Sequence, residues 1–211
     1  MIKIIGIDHT EKRDDQLKKI IYSFKPDAIC VELDELSFKI ITGQLTEEQV
    51  SSYFSDIPLT FKLLSLYKDK SQKVASVDRM WDSKLVYKLS KNLDFEIIPI
   101  DIDKKKIYSE VEKNISFSEK IKVLIEVFKK LFFSEEKMKK SNESEKRFPV
   151  LKKYLIDKRN EYMYNEIRRN ARFFKKIIVL IGNNHLIKLK NLSVEDEEDI
   201  ELIHLKALRE I

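Results

Sequence analysis

Four short runs of apolar residues interrupt a chain that is otherwise rich in charged side chains. They extend over Ile2 to Ile7, Ala28 to Leu33, Phe95 to Ile102 and Ile177 to Ile181. Each run is nearly continuous in Ile, Val and Leu, which is typical of strands that are covered on both faces in a parallel sheet. Between the first two runs, Leu17, Ile21 and Phe24 recur at helical spacing. The pattern predicts an α/β fold, a mostly parallel central sheet flanked by helices.

Three weaker features complete the predicted sheet. Pro99 lies inside the third run and favours an edge or bulged strand, because proline cannot donate a ladder hydrogen bond. Ile200 to Leu205 is predicted to be a last edge strand. The short run Val74 to Val77 is either a strand or the approach to a helix.

The stretch from residue 104 to 176 has helical periodicity and no strand signal. It carries 22 Lys+Arg against 11 Asp+Glu, whereas the rest of the chain carries 19 against 25. This basic all-helical insertion is either a solvated face or a docking surface for an acidic partner, a membrane surface or nucleic acid, and its unpatterned aromatics argue against nucleic acid. Ile121 to Phe133 has too wide an apolar stripe for a lone surface helix, so it is expected to pack on the sheet or to form a homo-oligomer contact. Met138 to Arg147 is predicted to be an exposed loop.

Length and composition limit the protein class. The 211 residues, 43% of them hydrophobic, suit one domain covering residues 1–211. The single cysteine, Cys30, excludes an internal disulfide and is expected to fill the core. No apolar run approaches a membrane span or a signal-peptide core, so a cytoplasmic protein without a transmembrane segment is expected. Abundant Lys and Glu fit a thermophile source.

Two of the three glycines and two of the three histidines form the same motif, GxxH. Gly6 precedes His9 by three residues, and Gly182 precedes His185 by three. Each motif begins at the end of a predicted buried strand, where a residue without Cβ allows another group to approach the backbone closely. The imidazoles are therefore expected at the carboxyl edge of the sheet, where open α/β sheets bind their ligands.

Acidic residues follow the other predicted strands. Asp34 and Asp101 are either helix-capping or turn residues or functional carboxylates, because both roles are common for Asp at strand ends. Glu32 is a poor cap and is seldom buried without a partner, so it is the better functional candidate. Candidates for supporting a site through hydrogen bonds are Asp8, Asp101, Asp103 and Asn184.

One predicted helix, Val150 to Phe173, places polar residues in apolar rows. Arg159 and Asn160 continue those rows. Either their side chains extend to the rim of the apolar face, or they face a polar pocket and bind an anionic group there. In the second case, Glu32 is the predicted partner of Arg159.

His9, His185 and Glu32 together are a coherent ligand set for a metal ion that keeps an open position for water. Spacing alone leaves a second interpretation, in which both histidines have structural roles with satisfied hydrogen bonds.

Five segments, in order, resemble the motifs of the TraB/Tiki family, which belongs with the erythromycin-esterase and ChaN-like α/β superfamily. They are Gly6 to His9, Pro26 to Asp34, Ile100 to Asp103, Lys158 to Met163 and Ile181 to His185. The resemblance covers residues 1 to about 190. It implies a sheet flanked by helices, with a helical insertion before the last GxxH strand.

The resemblance also implies an activity, that of a metal-dependent hydrolase acting on peptides, a metallopeptidase. A divalent ion such as Zn, Mn or Co would be held by His9, His185 and Glu32, with Glu32 as ligand or general base. Arg159 would stabilise an oxyanion and Asn160 would orient the substrate. The alternative is a non-catalytic protein that binds or sequesters a peptide, a haem-like ligand or a metal in the same pocket.

The chain departs from the family pattern in three places. The family usually has an Arg shortly after the segment that ends at Asp34, where this chain has only Lys39. A basic residue is also missing between Asp101 and Asp103. Membrane-anchored relatives carry C-terminal spans, and none is found here. The first two departures favour the binding alternative.

Overall fold

The structure is a computed structural model that describes residues 1–9, 11–55, 57–58, 61–62, 78, 80–132, 148–194 and 200–205. Within these ranges, the side chains at positions 47, 54, 126–132, 187, 190–194 and 204 are not described. The segments predicted at residues 74–77 and 138–147 lie outside the described residues.

Five parallel strands form one sheet, which confirms the predicted α/β class. The strands are β1 (Ile2–Ile7), β2 (Ala28–Val31), β3 (Glu96–Pro99), β4 (Ile177–Gly182) and β5 (Ile200–His204). Their order across the sheet is β3-β2-β4-β1-β5, and every neighbouring pair is parallel. The strand with Pro99 and the last strand thus lie at the two edges of the described sheet, as predicted.

β2 and β3 are shorter than their apolar runs. After Val31 the backbone turns, and the Leu33 N–H donates to the Val31 carbonyl at 2.7 Å. The Ile100 N–H also donates to the Val31 carbonyl, at 3.1 Å, and the Asp101 N–H donates to the Leu33 carbonyl at 2.9 Å. The last residues of both runs therefore leave the sheet together and place their polar neighbours beyond its carboxyl edge.

Helices cover both faces of the sheet. In the order of the chain, the described helices are α1 (Asp14–Phe24), α2 (Glu35–Ile41), α3 (Glu47–Ser55), α4 (Trp81–Ser90), α5 (Lys104–Asn114), α6 (Phe117–Phe132), α7 (Pro149–Lys152), α8 (Lys158–Ala171) and α9 (Asn183–Val194). Alternate residues of β1 serve the two faces: Ile5 packs in a core with Leu17 of α1, and Ile4 packs in a second core with Met163 of α8. None of the described helices combines the length and the apolar character needed to cross a membrane.

The chain divides into two compact units. Unit 1 contains the sheet and comprises Met1–Gln44, Val77–Ile102 and Asn160–Ile211. Unit 2 comprises Leu45–Ser76 and Asp103–Arg159, and all its described secondary structure is helical. Its apolar core includes Phe61, Val111, Val123 and Tyr154.

Unit 2 differs in extent from the predicted insertion. Residues 45–76 join it, although their composition does not set them apart. It ends at Arg159, because Met163 and Ile167 further along α8 are buried against the sheet core of unit 1. The predicted long helix is also interrupted by a π-helical turn at Lys153–Asp157.

Candidate functional site

The candidate site lies at the carboxyl ends of β1, β2 and β4, three neighbouring strands in the middle of the sheet. His9 follows β1, Glu32 follows β2, and Gly182 is the last residue of β4. His185 lies in the first turn of α9, which begins directly after Gly182. The two GxxH motifs and the predicted carboxylate therefore reach the same edge, as the carboxyl ends of parallel strands require.

Glu32 contacts the second GxxH motif through both carboxylate oxygens. The Gly182 N–H donates to Oε2 of Glu32 at 2.6 Å. Oε1 of Glu32 lies 3.4 Å from Nε2 of His185. Only 13% of the Glu32 side chain is exposed. The structure thus gives Glu32 specific contacts and brings it together with His185.

The other nitrogen of His185 contacts Asn160, a residue of unit 1 that the sequence also predicts as part of the site. Nδ1 of His185 and Oδ1 of Asn160 are 2.6 Å apart, and both residues are buried. An amide oxygen only accepts, so Nδ1 carries the proton and donates. Nδ2 of Asn160 is buried and has no hydrogen-bond partner within the described part of the chain. Asn160 therefore holds the imidazole in one orientation.

This orientation has an electrostatic consequence. With the proton on Nδ1, a neutral His185 presents the lone pair of Nε2 to the Glu32 carboxylate. Two electron-rich atoms at 3.4 Å in a largely buried place repel each other unless a cation neutralises them. A second proton on His185 and a metal ion bound between the two side chains are two cations that this arrangement favours.

His9 lies beside a buried carboxylate that the sequence did not reveal. Nδ1 of His9 is 3.8 Å from Oδ1 of Asp82, and neither atom has a hydrogen-bond partner among the described residues. Burial raises the pKa of the Asp82 carboxyl, the nearby His9 opposes this, and the charge of Glu32 adds to it. Asp82 lies in the first turn of α4, where an acidic residue is ordinary because it complements the helix dipole. No signal in the sequence distinguishes it from such a residue.

Gly182 lets two polar side chains approach the backbone closely. A Cβ at this position would lie 3.3 Å from Oε2 of Glu32 and 3.3 Å from Nε2 of His9, which is tighter than an ordinary contact. Both atoms therefore face the position that a side chain at residue 182 would occupy. The predicted role of Gly182, close approach at the site, agrees with this geometry.

Gly6 serves packing rather than the site itself. A Cβ there would overlap Oδ1 of Asn183 and would lie 2.9 Å from Cδ2 of Leu186. Its missing side chain thus lets α9 approach β1 closely, which fixes where His185 emerges.

Two of the predicted acidic residues cap helices. Asp34 precedes α2 and accepts from the Ser37 N–H at 2.8 Å. Asp103 precedes α5, in unit 2, and accepts from the Lys105 N–H at 2.7 Å. The capping interpretation of Asp34 is confirmed, and Asp103 has a structural role of the same kind.

The remaining polar candidates have varied surroundings. Asp101 is buried, and its Oδ1 accepts from the N–H of the next residue, Ile102, at 2.9 Å. The Asp8 carbonyl accepts from the Glu11 N–H at 3.1 Å. Asn184 is exposed in the first turn of α9. Their predicted support of a bound ligand stays a prediction.

Arg159 belongs to unit 2 and follows the π-helical turn. Its Nη1 donates to the Leu155 carbonyl at 3.4 Å, within the same helical segment. The predicted pairing of Arg159 with Glu32 stays a prediction.

No three His, Cys, Asp or Glu side chains in the described ranges are assembled closely enough to constitute a metal site. Glu32 and His185 form a pair, and Nε2 of His9 lies close to Gly182, as Oε2 of Glu32 does. The donor set has the chemistry that a divalent ion requires, in the form of two imidazoles and a carboxylate.

The parallel sheet and the helices on both faces define an α/β fold. A solved structure of similar fold describes cofacial haem binding to ChaN of Campylobacter jejuni. It has a TM-score of 0.51 and 12% sequence identity, and the match covers 96% of this chain and 80% of that chain. No protein-family model and no curated protein matches the sequence. The likeness shows the fold, and membership of the TraB/Tiki family stays a prediction.

Proposed function

We propose that this protein is a metal-dependent hydrolase whose divalent ion is held by Glu32, His185 and His9. The observation that carries the proposal is the convergence of three metal-binding side chains at Gly182: Oε1 of Glu32 lies 3.4 Å from Nε2 of His185, and a Cβ at residue 182 would lie 3.3 Å from both Oε2 of Glu32 and Nε2 of His9. The hydrogen bond from His185 to Asn160 supports it, because it keeps the lone pair of Nε2 directed at the carboxylate.

The spacing of the pair suits a metal ion. Two ligands at about 2.0–2.1 Å from a tetrahedrally coordinated zinc lie roughly 3.4 Å apart. A direct hydrogen bond between a protonated imidazole and a carboxylate is shorter, typically about 2.7–2.9 Å. The observed separation of 3.4 Å agrees with the first arrangement.

His9 is the candidate third ligand. A carboxylate that accepts a hydrogen bond from Nδ1 is the usual partner of a metal-binding histidine, because it leaves Nε2 for the metal. Asp82 would supply that carboxylate if its 3.8 Å separation from Nδ1 of His9 closed on metal binding. Nε2 of His9 lies close to Gly182, as Oε2 of Glu32 does.

A metal ion bound by two histidines and one glutamate supplies a water of lowered pKa and polarises a carbonyl group. Asn160 positions His185 through its hydrogen bond, and Asp82 lies 3.8 Å from His9. The role of Asn160 proposed here differs from the substrate-orienting role that the resemblance implies. Peptides are the substrate class, as the TraB/Tiki resemblance implies.

The test measures metal binding and peptide cleavage in the same preparations. Purified protein is stripped with a chelator and titrated calorimetrically with Zn²⁺, Mn²⁺ and Co²⁺, and each form is incubated with a mixed peptide library. We expect one ion per chain and cleavage that chelation abolishes. Glu32→Gln is expected to weaken metal binding at least tenfold, because it keeps the shape of the side chain and removes the ligand charge.

Glu96→Gln is the matched control, since Glu96 is an exposed carboxylate at the opposite, amino end of β3. It should leave metal binding unchanged. A wild-type protein that binds none of the three ions, or a Glu32→Gln variant that binds them as tightly as wild type, contradicts the proposal.

The second candidate is a haem-binding protein, and the fold shared with ChaN of Campylobacter jejuni favours it. In that case the Nε2 of His9 is the candidate iron ligand, because a third of the His9 side chain is exposed, against a ninth for His185. Titration with haemin, followed by the Soret band, distinguishes the candidates. Haem binding that His9→Ala abolishes, in a protein that takes up no divalent ion, would replace the hydrolase with this alternative.

A further inference from the structure

Helix α6 of unit 2 presents a row of apolar side chains to solvent. Phe117 is 78% exposed, Ile121 41% and Ile125 46%. The three residues are spaced four apart, so they follow one another along a single stripe of the helix. We call Phe117, Ile121 and Ile125 the α6 stripe.

The opposite side of α6 packs inside unit 2. Val123 is buried in the unit 2 core. Glu119 is also buried, and its Oε1 accepts from the backbone N–H groups of Val150 at 3.1 Å and Leu151 at 3.4 Å. The helix is therefore fixed by one face, and the orientation of the α6 stripe toward solvent follows from that packing.

Lys120 and Lys122 flank the stripe on its two sides at helical spacing. Lys122 is exposed, whereas Lys120 forms an ion pair with Glu112 of α5. Glu119 is turned inward, and Glu126 follows the stripe directly in the sequence. The wider unit is basic, since residues 103–159 carry 17 Lys+Arg against 10 Asp+Glu and residues 45–76 carry four of each.

We propose that the α6 stripe docks on an anionic lipid surface, with its apolar side chains in the headgroup region and Lys122 near lipid phosphates. An apolar stripe bordered by lysines is the pattern of helices that lie in the membrane interface. A second copy of this chain fits less well, because it would bring two basic units together. Nucleic acid would leave the apolar stripe exposed to water.

The experiment is sedimentation with lipid vesicles. Vesicles of phosphatidylcholine alone are compared with vesicles in which one third of the lipid is phosphatidylserine. We expect binding to the second kind only, and weaker binding as salt rises from about 0.1 M to about 0.5 M. Lys122→Gln should weaken binding about fivefold, since a lysine near an anionic surface contributes about 1 kcal/mol.

Replacing the whole α6 stripe by serine should weaken binding more than tenfold, because the apolar contribution is lost. Phe173→Ser is the matched control, because Phe173 is 76% exposed and lies in unit 1, away from α6 in the sequence. Circular dichroism melts show that each variant is folded.

Three results would overturn the proposal. The first is equal binding, or none, to the two kinds of vesicle. The second is self-association in sedimentation velocity without lipid that the serine variant abolishes, which would assign the stripe to a second copy. The third is slow amide exchange of α6 that the serine variant accelerates without lipid, which would mean that another segment of this chain covers the stripe.

Discussion

The three glycines make the sharpest test of the site, because the structure assigns each a different reason to lack a side chain. At Gly182 a methyl group would enter the space between Glu32 and His9, with contacts of 3.3 Å to each. At Gly6 it would overlap Asn183 and press on Leu186. One substitution, Gly→Ala, can therefore be made at all three positions and compared.

Gly182→Ala should alter ligand binding much more than stability. The atoms that the new methyl meets are the ends of the Glu32 and His9 side chains, which can yield by a few tenths of an ångström. We expect the free energy of unfolding to change by less than about 1 kcal/mol, because Gly→Ala at a compatible backbone also restricts the unfolded chain. Metal affinity should fall by about 10- to 100-fold, the usual loss when groups that orient metal ligands are disturbed.

Gly6→Ala should alter stability instead. Leu186 is buried at 1% exposure, so the methyl at residue 6 pushes against a packed core between β1 and α9. Overpacking of this kind costs about 1–3 kcal/mol. For a chain of this size, that lowers the Tm by about 2–12 °C.

Gly43→Ala is the control, because Gly43 has φ +70° after α2 and nothing within 4 Å of an added Cβ. The left-handed conformation costs an alanine about 1–2 kcal/mol, with no effect at the site. Thermal melts without metal measure the stability of each variant, and calorimetric titration with Zn²⁺ or Mn²⁺ measures its metal affinity. A Gly182→Ala variant that binds metal like Gly43→Ala, or that loses as much stability as Gly6→Ala, would refute the assignment of Gly182 to the site.

Three further predictions concern the fold. Burial raises the pKa of the Cys30 thiol to about 12, so in native protein near pH 8 it should react with a thiol reagent about a thousandfold more slowly than in unfolded protein. Because the unfolded thiol loses its proton first, this group should lower the stability as pH rises from about 9 toward 12, which alkaline melts compared with Cys30→Ala would show. Asp34→Ala removes the cap of α2 and should cost about 1 kcal/mol in urea unfolding, whereas Asp34→Asn should restore most of it. Glu119→Ala leaves two backbone N–H groups at the start of α7 without their acceptor and should destabilise unit 2 by about 1–3 kcal/mol, with Glu119→Gln recovering part of the loss.

The sheet could be predicted because its signal is local and strong. Continuous runs of Ile, Val and Leu mark strands that are covered on both faces, and Ile4 and Ile5 do face the two separate cores. The meeting of His9, Glu32 and His185 at one edge follows from the same reasoning, since parallel strands end at the same side. The rule that parallel strands end at the same side of a sheet thus located three residues that are far apart in the chain.

The remaining parts of the site depend on packing that no local pattern encodes. Asp82 reaches His9 only because α4 packs against the sheet, and in the sequence it resembles any acidic residue at the start of a helix. The π-helical turn at Lys153–Asp157 changes the phase of the helix, so rows counted at 3.6 residues per turn shift beyond it. Tyr154, within this turn, is buried in the core of unit 2.

The geometry of the two histidines separates the two proposed functions by their use of Glu32. A haem iron at His9 would use one imidazole and would leave Glu32 and His185 as they stand, 3.4 Å apart. A divalent ion at the pair would use both side chains, with Asn160 holding His185 in its orientation. Neither ligand accounts for Nδ2 of Asn160 or for Nδ1 of His9, which have no hydrogen-bond partner among the described residues. Glu32→Gln therefore distinguishes the two functions, because it should weaken metal binding at least tenfold and leave haem binding through His9 intact.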